Sequence, residues 1–143
     1  MPELDALVLP RLVALTGQAR AALEGAEVAI DHVPFKVGRE GRLMRTRRFV
    51  PVERRVGRAP HVNDLYLRER PAGYFLHISR EHFLIDRDHH AFYLVDRGSV
   101  CGTIVGNQTI GGDGAGGRAQ LRDQEVLIVG TASSPFVFML RFD

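Results

Sequence analysis

From Arg11 to Phe142 the chain is cut into short apolar runs, most of five to seven residues, set apart by Gly, Pro, Asp or Asn, and no long helical period crosses them. The runs are Arg11–Thr16, Ala26–Ile30, Pro34–Val37, His61–Leu67, Tyr74–Ile78, His82–Asp86, Ala91–Val95, Thr103–Val105, Glu125–Val129 and Phe136–Phe142. They are rich in β-branched and aromatic residues and mix or alternate apolar with polar positions, which suits a pleated, half-buried surface. Regular spacing with turn residues between runs predicts an all-β, antiparallel sandwich. Gly106-Asn107, between Ile104-Val105 and Gln108-Thr109-Ile110, predicts a two-residue hairpin, since both residue types tolerate positive φ. Ala19–Leu23 has the composition for one helical turn, but Gly17 and Gly25 leave it too short to hold by itself. Gly111–Gly117, with five glycines in seven residues, reads as a flexible loop; no helix start or Gly-Lys-Ser/Thr follows to make it a phosphate cradle.

At 143 residues the chain is one domain's worth, enough to bury about two thirds of its unfolded surface without a metal or disulfide staple. Residues 1–8 read as an N-terminal segment and 9–143 as a single domain. Cys101 is the sole cysteine, so no intrachain disulfide can form, and the expected location is cytoplasmic. Glu3 and Asp5 stand where a signal peptide would be basic, and no run reaches membrane-spanning length, so no membrane partner is indicated. The net charge is only +2, yet it is built from eighteen arginines and one lysine, Lys36. Guanidinium matches phosphate better than ammonium does, through two parallel hydrogen bonds. A global arginine excess also follows from base composition, so position must decide.

Three polar islands stand between these runs: Gly38-Arg39, Ser79-Arg80-Glu81-His82, and Asp96-Arg97-Gly98-Ser99 through Cys101-Gly102-Thr103. Together they contain an arginine fork, a hydroxyl and turn-forming backbone, the donors that a phosphorylated side chain with three acceptor oxygens requires. Ser79 beside His82 also invites an enzymatic reading, but no orienting acid completes a nucleophile constellation, so no catalytic residue is assigned. His77, His82, His89 and His90 match no zinc spacing, and neither metal nor cofactor is called for. His89-His90, after Asp86-Arg87-Asp88, reads as a polar hairpin tip.

In the order of these elements the chain resembles the forkhead-associated (FHA) domains. The resemblance rests on Gly38-Arg39, on Asn63-Asp64-Leu65-Tyr66-Leu67, on Ser79-Arg80-Glu81-His82 as Ser-x-x-His, on Asp96 to Thr103, and on Leu121-Arg122-Asp123-Gln124-Glu125-Val126-Leu127-Ile128-Val129-Gly130. It implies an eleven-stranded β-sandwich that binds phosphothreonine peptides through loops at one end. The implied partner is a phosphothreonine-bearing protein, a Ser/Thr kinase substrate. By the same resemblance Arg39 and Ser79 contact phosphate, the Arg80 backbone and side chain add to them, Cys101, Gly102 and Thr103 line the peptide, and Gly38 and His82 support the site. Cys101 stands where the family usually has an Asn that bonds the peptide backbone. A thiol is a weak donor and acceptor, so up to two hydrogen bonds of ~0.5 to 1.5 kcal/mol each are lost there. A redox role for Cys101 would need a lowered pKa, for which only Arg97 offers a neighbouring positive charge in sequence.

A second departure is the Arg-rich insertion at 40–60, with Arg42, Arg45, Arg47, Arg48, Arg54, Arg55 and Arg58 against Glu40 and Glu53. It is read either as a solvated hairpin or as a contact for acidic residues beside a phosphosite. Nucleic acid is an alternative partner, set back by the single interleaved aromatic, Phe49. A further alternative is a degenerate scaffold that binds an unphosphorylated partner or associates with itself.

Overall fold

Alternation of buried and exposed side chains along short strands builds two sheets that face one another across a shared aliphatic and aromatic layer. The computed structural model describes residues 9–40, 63–70 and 75–142. Its strands are β1 (Arg11–Ala14), β2 (Glu27–Ala29), β3 (Phe35–Arg39), β4 (Leu65–Leu67), β5 (Phe83–Arg87), β6 (Phe92–Asp96), β7 (Thr103–Val105), β8 (Gln108–Ile110), β9 (Arg118–Leu121), β10 (Glu125–Val129) and β11 (Val137–Arg141), with one helix, α1 (Gly17–Leu23). One sheet has six strands in the order β2-β1-β11-β10-β7-β8, the other five in the order β4-β3-β5-β6-β9. All pairings are antiparallel except β3 with β4. The eleven strands and the sandwich are as expected, although segments 1–8 and 41–62 lie outside the described residues, and most of the Arg-rich insertion with them.

The inward phase of the alternation makes the core. Leu12, Leu127, Phe138 and Leu140 from the six-stranded sheet meet Val37, Phe83, Ile85 and Leu94 from the five-stranded one, all at 0 to 1% exposure. Each such large side chain contributes roughly 1.5 to 3 kcal/mol by leaving water. Gly106 turns the β7–β8 hairpin at φ 65°, where Val105 faces Gln108. At the β5–β6 tip, Asp88 Oδ1 accepts from the N–H groups of His90 and Ala91 at 2.8 and 3.0 Å, so His89-His90 lie on a polar turn as read.

Three elements differ from expectation. Arg118–Leu121 is a strand, though Arg, Ala, Gln and Leu all favour helix; Ala119 and Leu121 point inward at i, i+2, and the segment pairs with β6. Tyr74–Ile78 is not a strand in its described part. The N–H groups of His77 and Ile78 are satisfied by the Glu69 carboxylate at 2.8 to 3.0 Å rather than by a sheet ladder. The short helix does hold, because Thr16 Oγ1 accepts from Ala19 N at 3.1 Å, Ala19 and Ala22 are buried, and Glu24 closes the end at φ 61°. Tertiary contact and capping replace the length it lacks. Among the described residues no helix is long and apolar enough to cross a membrane.

The Thr16 hydroxyl also donates to the Pro135 carbonyl at 2.6 Å, tying α1 to the approach of β11. Thr16→Val should therefore cost about 1 to 2 kcal/mol in denaturant unfolding. Unchanged stability would show that packing alone holds this helix.

Candidate functional site at one end of the sandwich

The end of β3, the segment before β5 and the β6–β7 loop converge at one end of the sandwich, and Gly38 sets how closely. A Cβ at Gly38 would collide with the Arg80 carbonyl and the Asn63 side-chain amide, so only glycine lets the 79–82 turn lie against the strand. The next residue, Arg39, donates its backbone N–H to Ser79 O and its Nε to Ile78 O, each at 2.9 Å. The half-buried guanidinium is thus fixed beside Ser79. Ser79 Oγ accepts from Val100 N at 3.0 Å, which leaves its hydroxyl proton able to donate outward. Arg80 is exposed next to it.

Beneath these groups lies His82, fully buried. Its Nδ1 accepts from Ser79 N and its Nε2 donates to Gly102 O, both at 2.8 Å, which assigns the neutral tautomer with the proton on Nε2. Burial pulls the His82 pKa below its ordinary 6.5, outweighing the Gly102 carbonyl and the charges of Asp96 and Glu69. Both ring nitrogens are taken by backbone groups, so the imidazole cannot act as base toward the Ser79 hydroxyl. Asn63, also buried, adds a second tie: its Nδ2 donates to Arg80 O at 2.8 Å, and its Oδ1 accepts from Arg97 Nη1. Burial lowers the Arg97 pKa while Glu81, 3.5 Å from Nη2, raises it.

The β6–β7 loop is built on buried Asp96. Its Oδ2 accepts from the N–H groups of Gly98 and Ser99 at 2.8 and 3.0 Å, and its Oδ1 from Ser99 Oγ at 2.6 Å. Ser99 Oγ in turn accepts from Gly102 N at 3.0 Å. The glycine-rich segment 111–117, read as flexible, instead lies along this loop. Asp113 N donates to Val100 O at 2.8 Å, Gly114 N donates to Ser99 O at 2.9 Å, and any Cβ at Gly111 would run into the Asp96 carboxylate.

Of the residues expected at the site, Arg39, Ser79, Arg80 and Cys101 come together near its surface. Gly102 and Thr103 are buried, Thr103 completely, so they lie beneath the loop rather than on its outer side. The Cys101 thiol is half-buried and points at Leu76 O, 3.7 Å away. Burial first, then the Glu69 and Asp113 carboxylates, raise its pKa, which keeps it a protonated thiol. The lowered pKa that a redox role would need is not seen: Arg97 is engaged with Asn63 and Glu81, and the charges acting on Cys101 are acidic. Asn63, Asp96, Ser99 and Glu69 hold the site and were not singled out for that part. Asp-x-Gly-Ser at 96–99 did carry a legible signal, a side chain able to cap its own turn.

Among the described residues no group of three or more His, Cys, Asp and Glu side chains could hold a metal ion. A cleft of about 370 Å³ lined by Arg87, Phe92, Leu121 and Phe142 lies at the opposite end of the sandwich, away from these loops.

This architecture has known counterparts. The family model for the FHA domain matches residues 54–130, more than half of the sequence, and the chain belongs to that family. The match takes in the Ser79–His82 and Asp96–Thr103 islands, while Gly38-Arg39 lies ahead of it and is brought to them by β3. The fold is similar to that of the FHA domain of the CT664 protein from Chlamydia trachomatis, at 24% identity and TM-score 0.55, covering 93% of this chain and 96% of that one. It is similar also to full-length yeast Pml1p, at 19% identity and TM-score 0.61, covering 95% and 83%. A third counterpart is Mycobacterium tuberculosis EmbR, solved in complex with a low affinity phosphopeptide, at 15% identity and TM-score 0.57, covering 94% and 24%. No curated protein matches the sequence.

The His82 tautomer makes a pH prediction. Because the native state holds His82 neutral below its ordinary 6.5, the unfolded chain binds the extra proton, and stability is full above 6.5 and declines as pH falls toward the lowered native value. His32, raised by its bonds to Asp31 and Asp64, acts in the opposite sense, but it is exposed and common to both proteins compared. His82→Gln should lower stability at pH 7 and flatten its slope between about pH 6.5 and 5 relative to wild type. Parallel slopes in urea titrations at several pH values would contradict the neutral, doubly bonded imidazole.

Proposed function

We propose that this domain is a phosphothreonine-dependent protein-binding module. The observation that carries the reading is the placement of Arg39, Ser79 and Arg80 on one rigid rim, with the Arg39 guanidinium fixed by Ile78 O and the Ser79 hydroxyl oriented by Val100 N. Two cations and one hydroxyl donor suit a group of roughly −1.5 to −2 charge with three acceptor oxygens. The rim is held by buried, hydrogen-bonded His82, Asn63 and Asp96, so little ordering is left to occur on binding. The phosphopeptide held by EmbR supports the same reading. In this reading the domain is a binding module and not an enzyme, its partner is a Ser/Thr kinase substrate, and it works in the cytoplasm, where ATP-dependent kinases act.

Arg39→Ala should remove at least about 2 kcal/mol of phosphopeptide affinity, or some thirtyfold, while the fold is kept, since a charge-assisted contact in a partly desolvated site is among the strong ones. Calorimetry with a peptide selected from a phosphothreonine library checks this, and unchanged affinity would overturn the reading.

Cys101 lies on the same rim, and its thiol leaves peptide backbone groups poorly matched. Cys101→Asn should tighten phosphothreonine peptides by about twofold to thirtyfold, the worth of one or two hydrogen bonds. No gain would show that position 101 does not face the peptide, and a gain shared by unphosphorylated controls would show that binding there does not depend on phosphate.

A further inference from the structure

We propose that Val100 sets the class of peptide this site takes: phosphothreonine peptides with a large apolar side chain within about three residues of the phosphorylated one. The inference rests on the phosphopeptide reading above and deepens it. Among the described residues Val100 is the most exposed of the large apolar side chains, at 66%. Its backbone is pinned on both sides, since Val100 N donates to Ser79 Oγ at 3.0 Å and Val100 O accepts from Asp113 N at 2.8 Å. The side chain is therefore carried on a rigid loop, directly beside the hydroxyl proposed to hold phosphate. A side chain so exposed adds little to the core, so folding does not ask for an apolar residue at this position.

A single exposed apolar residue is ordinary on a protein surface, but Val100 is not isolated. Cys101 follows it, and the thiol, which behaves as a small hydrophobe, is turned to Leu76 O at 3.7 Å. Leu76 adjoins Phe75, which is 52% exposed and stands edge-on to His77. Apolar groups thus run from Val100 through Cys101 to Phe75, beside the donors of Arg39, Ser79 and Arg80. The thiol offers a peptide backbone no strong hydrogen bond, so the grip next to the phosphate falls to side chains. An apolar flank suits this border. An acidic one does not, because exposed Asp113, bonded through its N–H to Val100 O, brings a like charge to it. A phosphate seated on Ser79 Oγ sets the adjoining peptide residues, each spanning at most ~3.6 Å, within reach of Val100. Burying one large side chain against it should strengthen binding about three- to tenfold.

The test uses the whole 143-residue chain and synthetic phosphothreonine peptides of alanine background, with Leu placed in turn at each position close to the phosphothreonine on either side. In calorimetry Leu at one or more of these positions should bind about three- to tenfold more tightly than Ala. Val100→Ser should bring that ratio below about twofold, whereas Phe75→Ala should lower it less. Because the ratio is read within one protein, a change in overall affinity cancels. A second reading needs no variant: in the wild-type complex, intermolecular NOEs should join the Val100 methyl groups to those of the peptide Leu. A ratio near one at every position, a ratio that Val100→Ser keeps or that only Phe75→Ala removes, or a bound Leu without NOEs to Val100 would each overturn the proposal. If none of the phosphopeptides binds, the proposed function fails as well. If they bind with no preference for Leu, only this inference fails.

Discussion

The buried imidazole of His82 ties together two segments that have no strand pairing between them. Accepting from Ser79 N and donating to Gly102 O, it sets the distance between the segment that carries the proposed phosphate donors and the loop that flanks them. A charged imidazolium could not do this, because its Nδ1 would become a donor facing the Ser79 N–H. The low polarity of the surroundings therefore has a structural purpose: it keeps the ring neutral and so keeps both bonds. Burying a polar ring is costly unless both its nitrogens are satisfied, and here they are.

The same economy recurs around it. Asp96 satisfies three donors of its own loop, Glu69 satisfies the N–H groups of His77 and Ile78, and Asn63 bridges Arg80 O and Arg97. Each carboxylate or amide takes the place of a sheet ladder where the backbone leaves the strands, so the loops are rigid without being regular. His77 is wedged edge-on between Phe75 and Phe136, with ring centroids 4.6 and 5.8 Å away, which anchors the segment below Ser79 to the start of β11. Rigidity of this kind is what lets a shallow rim of donors hold one small anionic group.

Most strands were legible in the sequence because their signal is local: inward residues such as Phe83 and Ile85, or Leu127 and Val129, recur at period two within a single run. Arg118–Leu121 lacked that signal, since its residues favour helix and only pairing with β6 makes it a strand. The run at 74–78 has the composition of a strand, but in its described part, 75–78, the N–H groups of His77 and Ile78 go to a carboxylate eight or nine positions earlier in sequence, which no window reveals. The proposed contact residues were legible as polar islands. The buried residues that orient them were mostly not, because Asn63 and Glu69 act through partners 17 to 34 and 8 to 9 positions away. Thr103 shows the converse: a residue that closes a motif in sequence is buried once β7 begins.

In the proposed binding mode phosphate is read by Arg39, Ser79 and Arg80, with Cys101 beside them on the peptide, and by no other surface. This mode is tested most directly by following the backbone amide resonances of the chain during titration with a phosphothreonine peptide and with its unphosphorylated twin. The phosphorylated peptide should shift the amides of Arg39, Ser79, Arg80 and Val100 to Gly102, and the twin should shift none of them. Equal shifts with both peptides, or shifts confined to the Arg87–Phe92 end or the outer sheet face, would contradict it.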